Sequence, residues 1–139
     1  MRRAFTLLEL TVVVALLGLL MALTVPKFAA LRDGASVRAA MADLGALFSI
    51  ARQSAITERT TVSVLFDTAA GSVEIRRGGR AVVRHALRGA YGITLGSNRD
   101  SAVYDPRGFG YGVSNITVTV RRGSIIDTLT MSRLGRVRW

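Results

Sequence analysis

Cysteine is absent from this 139-residue chain. That excludes a disulfide framework and a thiolate-held metal site, while leaving an extracytoplasmic location open. There is one histidine, His85, and only 9 acidic residues, which do not cluster. A zinc site built from carboxylates and one imidazole therefore has no spacing to support it. Serine, histidine and aspartate occur without a nucleophile elbow to join them. His85 lies in AVVRHALR, a strand-like stretch where a structural role is expected. Internal repeats and low-complexity linkers are missing too. The expectation is a protein that is not an enzyme and carries no cofactor.

What the chain does have is positive charge and one long apolar run. The formal charge is +10, and Lys27 is the one lysine among 19 basic residues. Such a surplus suits an anionic partner, nucleic acid or lipid headgroups, and general replacement of lysine by arginine accounts for it equally well. The run spans Phe5 to Pro26, FTLLELTVVVALLGLLMALTVP, behind the basic leader MRRA. As a helix it extends roughly 33 Å, enough to cross the hydrocarbon core of a bilayer. A secretory signal, a membrane anchor and a packing helix that waits in the membrane all meet that description. The leader's charge sets orientation, with positive charge on the cytoplasmic side. No small-x-small cleavage site follows the run, which ends in ALTVPKF. A charge inside the run, at Glu9, is costly in a membrane and asks for a reason.

RRA-FTLLEL resembles the prepilin leader of type IV pilins and type II secretion pseudopilins. The resemblance places peptidase cleavage between Ala4 and Phe5, with methylation of the new amine on Phe5. It gives Glu9 an assembly role, pairing with a neighbouring subunit's N-terminus. An amine and a carboxylate buried in an apolar filament core are tolerable only when paired. Ala4 stands where the family usually has Gly, and slower cleavage is expected.

Beyond Pro26, Val37, Met41, Leu44, Phe48, Ala51 and Ala55 recur at helical spacing, so the helix is expected to continue to about Thr57. Pro26 is expected to interrupt it without ending it, and Asp33-Gly34 is a local weakness. ARQSAI, Ala51 to Ile56, resembles the end of this helix in the GspH/FimT branch. From Thr60 the period becomes alternating. Strands are expected at Thr61–Phe66, Ser72–Arg76, Ala81–Leu87, Ile93–Leu95, Ala102–Tyr104, Ile116–Arg121, Ile125–Met131 and Arg136–Trp139. The clearest hairpin is ITVTV-RRGS-IIDTLTM, with Ile126 and Leu129 among its apolar positions. The implied architecture is α+β and type IV pilin-like, a long N-terminal hydrophobic helix packed on one C-terminal antiparallel sheet domain. Its parts are the leader over 1–4, the membrane or filament-core half over 5–26, the amphipathic half over 27–59 and the sheet domain over 60–139.

Gly108-Phe109-Gly110-Tyr111-Gly112 invites a phosphate-loop reading, but a strand rather than a helix is expected after it. YDPRGFG instead resembles the F-x-P-x-G segment of GspH/FimT domains, with Tyr104 in place of Phe and a turn at Pro106 and Gly108. In the C-terminal SRLGRVRW, Arg136 and Arg138 fall on one face of an extended segment, about 6.6–7 Å apart. That is near the spacing of successive phosphates, so two guanidiniums can grip one backbone. Trp139 can stack on a base or cover the sheet edge. GRVR resembles the G-R-x-R motif of DNA-binding FimT-type minor pilins, which implies DNA-binding roles for Gly135, Arg136 and Arg138. Arg121, Arg122 and Arg133 widen the basic surface if the last hairpin brings them alongside. A solvated strand end is the plain alternative.

The resemblance thus implies a minor pilin or pseudopilin in the bacterial inner membrane, single-pass, with its C-terminal domain in the periplasm or outside, and in a pilus or pseudopilus after assembly. Its partners would be a prepilin peptidase, other minor and major pilins or pseudopilins, membrane lipid before assembly, and double-stranded DNA if GRVR binds it. The competing expectations are a purely structural type II secretion tip subunit and, more remotely, a single-pass membrane-anchored enzyme.

Overall fold

The computed structural model describes residues 6–112 and 115–139. The expected leader and the Ala4 and Phe5 processing position lie outside the described residues. The chain divides into two compact units, Met1–Arg32 and Asp33–Trp139, and one helix, α1 (Leu7–Thr57), contributes to both.

In the first unit the Thr6 hydroxyl accepts the Glu9 amide at 3.3 Å, capping a free N–H of the first turn. Glu9 therefore sits where its charge faces the positive end of the helix dipole, a local benefit in addition to any pairing. The helix runs through Pro26, and every described residue up to Arg32 is exposed. It contains a stretch long and apolar enough to cross a membrane.

Burial begins within the second unit. Val37, Met41, Leu44, Phe48, Ala51 and Ala55 are all buried, as their spacing requires, and Gly34 and Gly45 sit among them. The Asp33-Gly34 pair does not interrupt the helix. The helix stops at Thr57, where Arg59 takes a left-handed φ of 50° and the Thr60 amide returns to the Ala55 carbonyl at 3.2 Å.

Among the described residues, nine strands follow in two antiparallel sheets rather than the single sheet expected. The first holds β1 (Val62–Asp67), β2 (Ser72–Arg77), β3 (Arg80–His85), β5 (Ser101–Tyr104) and β6 (Gly110–Tyr111), in the order β3-β2-β1-β5-β6. The second holds β4 (Thr94–Ser97), β7 (Ile116–Arg122), β8 (Ile125–Met131) and β9 (Val137–Arg138), in the order β4-β7-β8-β9. Alternating hydrophobicity fixes which face of a strand is buried but not which strand it pairs with. Between β4 and β5, one of the places where the chain changes sheets, the Asp100 carbonyl accepts the Phe66 amide at 2.8 Å. Both sheets feed one core with the helix. Phe48 stacks on Phe66 at 5.9 Å and meets the edge of Tyr104 at 6.4 Å, while Val118, Val120 and Leu129 fill from the second sheet.

Two local expectations are corrected. The strand expected over Ala81–Leu87 ends at His85, and Leu87 opens a short helix, α2 (Leu87–Tyr91), that buries its own side chain. Gly92, with φ 63°, closes α2. In β8, Ile126 is exposed while Leu129 is buried. Residues three apart in a strand lie on opposite faces, so both cannot point inward.

Candidate functional site

The C-terminal segment closes as a tight turn. The Gly135 amide donates to the Ser132 carbonyl at 2.9 Å, and the Ser132 amide to the Arg136 carbonyl at 2.8 Å. Gly135 takes φ +71°, and a Cβ built there would overlap the carbonyl oxygen of Gly108. That oxygen belongs to a second turn, organised by Asp105, whose Oδ1 accepts the amides of Arg107 at 2.9 Å and Phe109 at 2.8 Å. The Gly110 amide donates to the Arg133 carbonyl at 3.0 Å. The YDPRGFG and SRLGRVRW stretches, separate in sequence, therefore form one backbone junction. Arg52 of α1 completes it by donating its Nε to the Gly108 carbonyl at 3.0 Å.

From this junction the last strand pairs along β8, with Arg138 opposite Thr130 and Val137 opposite Met131. Val137 packs against the core, and Arg136 and Arg138 are exposed. A groove of about 420 Å³ runs between this strand and α1, lined by Ser49, Arg52, Tyr104, Arg136, Arg138 and Trp139 among others, with no acidic side chain among the described residues. Trp139 is 62% exposed, yet one edge of its indole is set against Gly45, where an added Cβ would fall 2.5 Å from Cη2. Trp139 thus lies against the helix rather than covering the sheet edge. Tyr104 is fully buried, and its hydroxyl has no partner among the described residues. Burial pushes its pKa up to about 12, with the Arg52 charge pulling the other way.

Of the residues expected to bind DNA, Gly135, Arg136 and Arg138 come together, and Arg133 is exposed in the turn beside them. Gly135 is there for backbone conformation, since it has no side chain to offer and no room for one. Arg121 and Arg122 are not brought alongside. They pair with Ile126 and Ile125 at the opposite end of the β7–β8 hairpin from Thr130, the partner of Arg138. Arg122 is also occupied, donating Nε to Asp33 Oδ1 at 2.8 Å, Nη1 to Ser36 Oγ at 2.8 Å and Nη1 to the Tyr91 carbonyl. Glu9 is exposed and lies in the other unit. Arg52, Tyr104 and Gly45 were not singled out for the site in the sequence. Arg52 did fall off the apolar stripe, but nothing local shows that its partner is a glycine carbonyl far along the chain.

His85 is explained structurally. Its Nε2 lies 3.1 Å from Asp43 Oδ2, an oxygen that also accepts the Tyr91 hydroxyl, so β3, α2 and α1 meet on one carboxylate. That hydrogen bond to Asp43 is the main cause raising the Tyr91 pKa. Among the described residues no group of three or more His, Cys, Asp and Glu is placed to hold a metal ion.

The fold is similar to that of solved minor pilins. The crystal structure of type IV minor pilin FimU from Pseudomonas aeruginosa in one space group aligns with a TM-score of 0.63 at 17% identity, covering 73% of this chain and 86% of that one. A second crystal form of FimU gives 0.61 at 16% identity, covering 73% and 90%. The long N-terminal helix packed on antiparallel sheets is thus the type IV pilin fold. No family model matches the sequence, and no curated protein matches it significantly.

Proposed function

We propose that this chain is a minor pilin-like subunit of a bacterial envelope filament, held in the inner membrane before assembly. The carrying observation is the contrast along α1. From Leu7 to Leu31 its large apolar side chains are all exposed, whereas one face of its second half, from Val37 to Ala55, is buried in the core with the sheets. A contiguous apolar surface of that extent needs a cover, first lipid and then the helices of other pilins. Cleavage by a prepilin peptidase between Ala4 and Phe5, with Phe5 methylated, would free the amine that Glu9 of a neighbouring subunit pairs with. The sheet domain would then lie on the periplasmic side. Mass spectrometry of assembled filaments tests this: an N-terminus at methylated Phe5 is expected, and an intact Met1 overturns it.

The second part of the proposal is sequence-independent DNA contact through Arg136 and Arg138. Two exposed guanidiniums on one face, beside a groove without acidic lining, support phosphate contact. The purely structural reading, a type II secretion tip subunit, requires no such contact. Full-length protein in detergent should retard duplex DNA in a gel, with affinity falling steeply as salt rises. Arg136→Ala with Arg138→Ala should weaken it by about tenfold or more. Unchanged affinity in the double variant favours the structural reading.

A further inference from the structure

We propose that the groove between α1 and the last strand seats one unpaired nucleotide, its phosphate among Arg52, Arg136 and Arg138 and its base on the indole of Trp139. This rests on the reading of the C-terminal edge as a DNA contact and adds a strand-state preference to it. Four observations carry it. Arg52 lines the same groove as the two exposed arginines, and its Nε is fixed on the Gly108 carbonyl. Its two terminal nitrogens have no protein partner among the described residues, so the fork is held in place with donors to spare. The groove's volume, about 420 Å³, lies within the range of clefts that enclose small ligands. Trp139 is pinned along one edge by the space at Gly45 and is otherwise open, as a stacking platform must be.

The fourth is Tyr104, a lining residue whose unpartnered hydroxyl is closed off from solvent, so that a ligand oxygen would satisfy it once the lining opens. In a duplex the faces of the bases are covered by their neighbours. Away from the ends of a duplex, only an unpaired base can stack on an aromatic side chain. A duplex would reach the exposed Arg136 and Arg138 but not place a base against Trp139. Because every base has a π-face, the groove would be tolerant of sequence.

Trp139 is the chain's one tryptophan, so its fluorescence reports the groove directly. Full-length protein in detergent is titrated with a short oligothymidylate, with a relaxed circular duplex at equal phosphate concentration, and with inorganic phosphate. Saturable quenching by the oligothymidylate is expected, at an affinity at least about fivefold above that of the duplex. Arg52→Gln should weaken the single strand about tenfold and duplex retardation in a gel by a smaller factor, since the duplex is held by Arg136 and Arg138 themselves. Tyr104→Phe keeps the packing and should weaken the single strand about threefold. Thermal unfolding of each variant separates lost binding from lost fold. Equal quenching by strand and duplex, quenching by inorganic phosphate alone, or full single-strand affinity in both variants would overturn the proposal. Those results with duplex retardation intact defeat the groove alone. Absence of all DNA binding defeats the edge reading as well.

Discussion

Gly135 and Gly108 meet backbone to backbone, with the carbonyl of Gly108 occupying the place where a side chain on Gly135 would begin. The same carbonyl accepts the Arg52 Nε at 3.0 Å. Two loops and the helix are thereby locked at one oxygen, and the strand carrying Arg136 and Arg138 starts from that lock. The glycine of GRVR therefore acts on the backbone, and its arginines supply the charge.

Gly135→Ala should cost at least about 1–3 kcal/mol, because it adds a strained positive φ to a backbone overlap. Gly135→Asn discriminates between the two causes. Asparagine tolerates the left-handed region, but its Cβ meets the same oxygen. Both variants should lose stability in urea unfolding, and rescue by asparagine would show that the close approach does not matter.

Gly45→Ala should behave in the opposite way. Alanine is better than glycine within a helix by about 1 kcal/mol. The group it collides with is the outer edge of an exposed indole, which can swing away. Stability should hold or rise, while Trp139 emission shifts to the red as its contact is lost. An unchanged spectrum would mean that the indole does not rest on Gly45.

Arg121 and Arg122 are adjacent and should differ sharply. Arg122→Ala strips donors from Asp33, Ser36 and the Tyr91 carbonyl, all part-buried, for a cost of about 1–3 kcal/mol. Arg121 is exposed, and its replacement by alanine should change stability by no more than about 0.5 kcal/mol. Paired thermal melts measure the difference, and equal effects would refute the assignment.

Tyr104 links stability to alkaline pH. Its hydroxyl is raised from 10.0 to about 12 in the folded chain. The folded state therefore holds a proton that the unfolded chain releases, and the stability this gives is fully present below pH 10. It is lost progressively as pH rises from there toward about 12. Tyr104→Phe should equal or exceed the parent's stability near neutrality, since it removes an unpartnered buried hydroxyl. In melts across that pH range it should lack this part of the alkaline loss. A parallel decline in parent and variant would contradict the linkage.

The sequence by itself determined the long helix and its end, the apolar stripe from Val37 to Ala55, and most of the strands. Each follows from a local period, 3.6 for the helix and two for the strands, and local periods survive without knowledge of partners. It also placed Arg136 and Arg138 on one face, because two residues apart in an extended chain must share one. What only the tertiary structure decided was pairing. Two sheets replaced one because alternation identifies a buried face and is silent on neighbours. Arg122 became an internal clamp because Asp33, far away in the chain, met it. The groove exists because Arg52, Tyr104 and Trp139 arrive from three distant segments. Contacts of that range depend on how the elements pack, and no spacing along the chain encodes them singly.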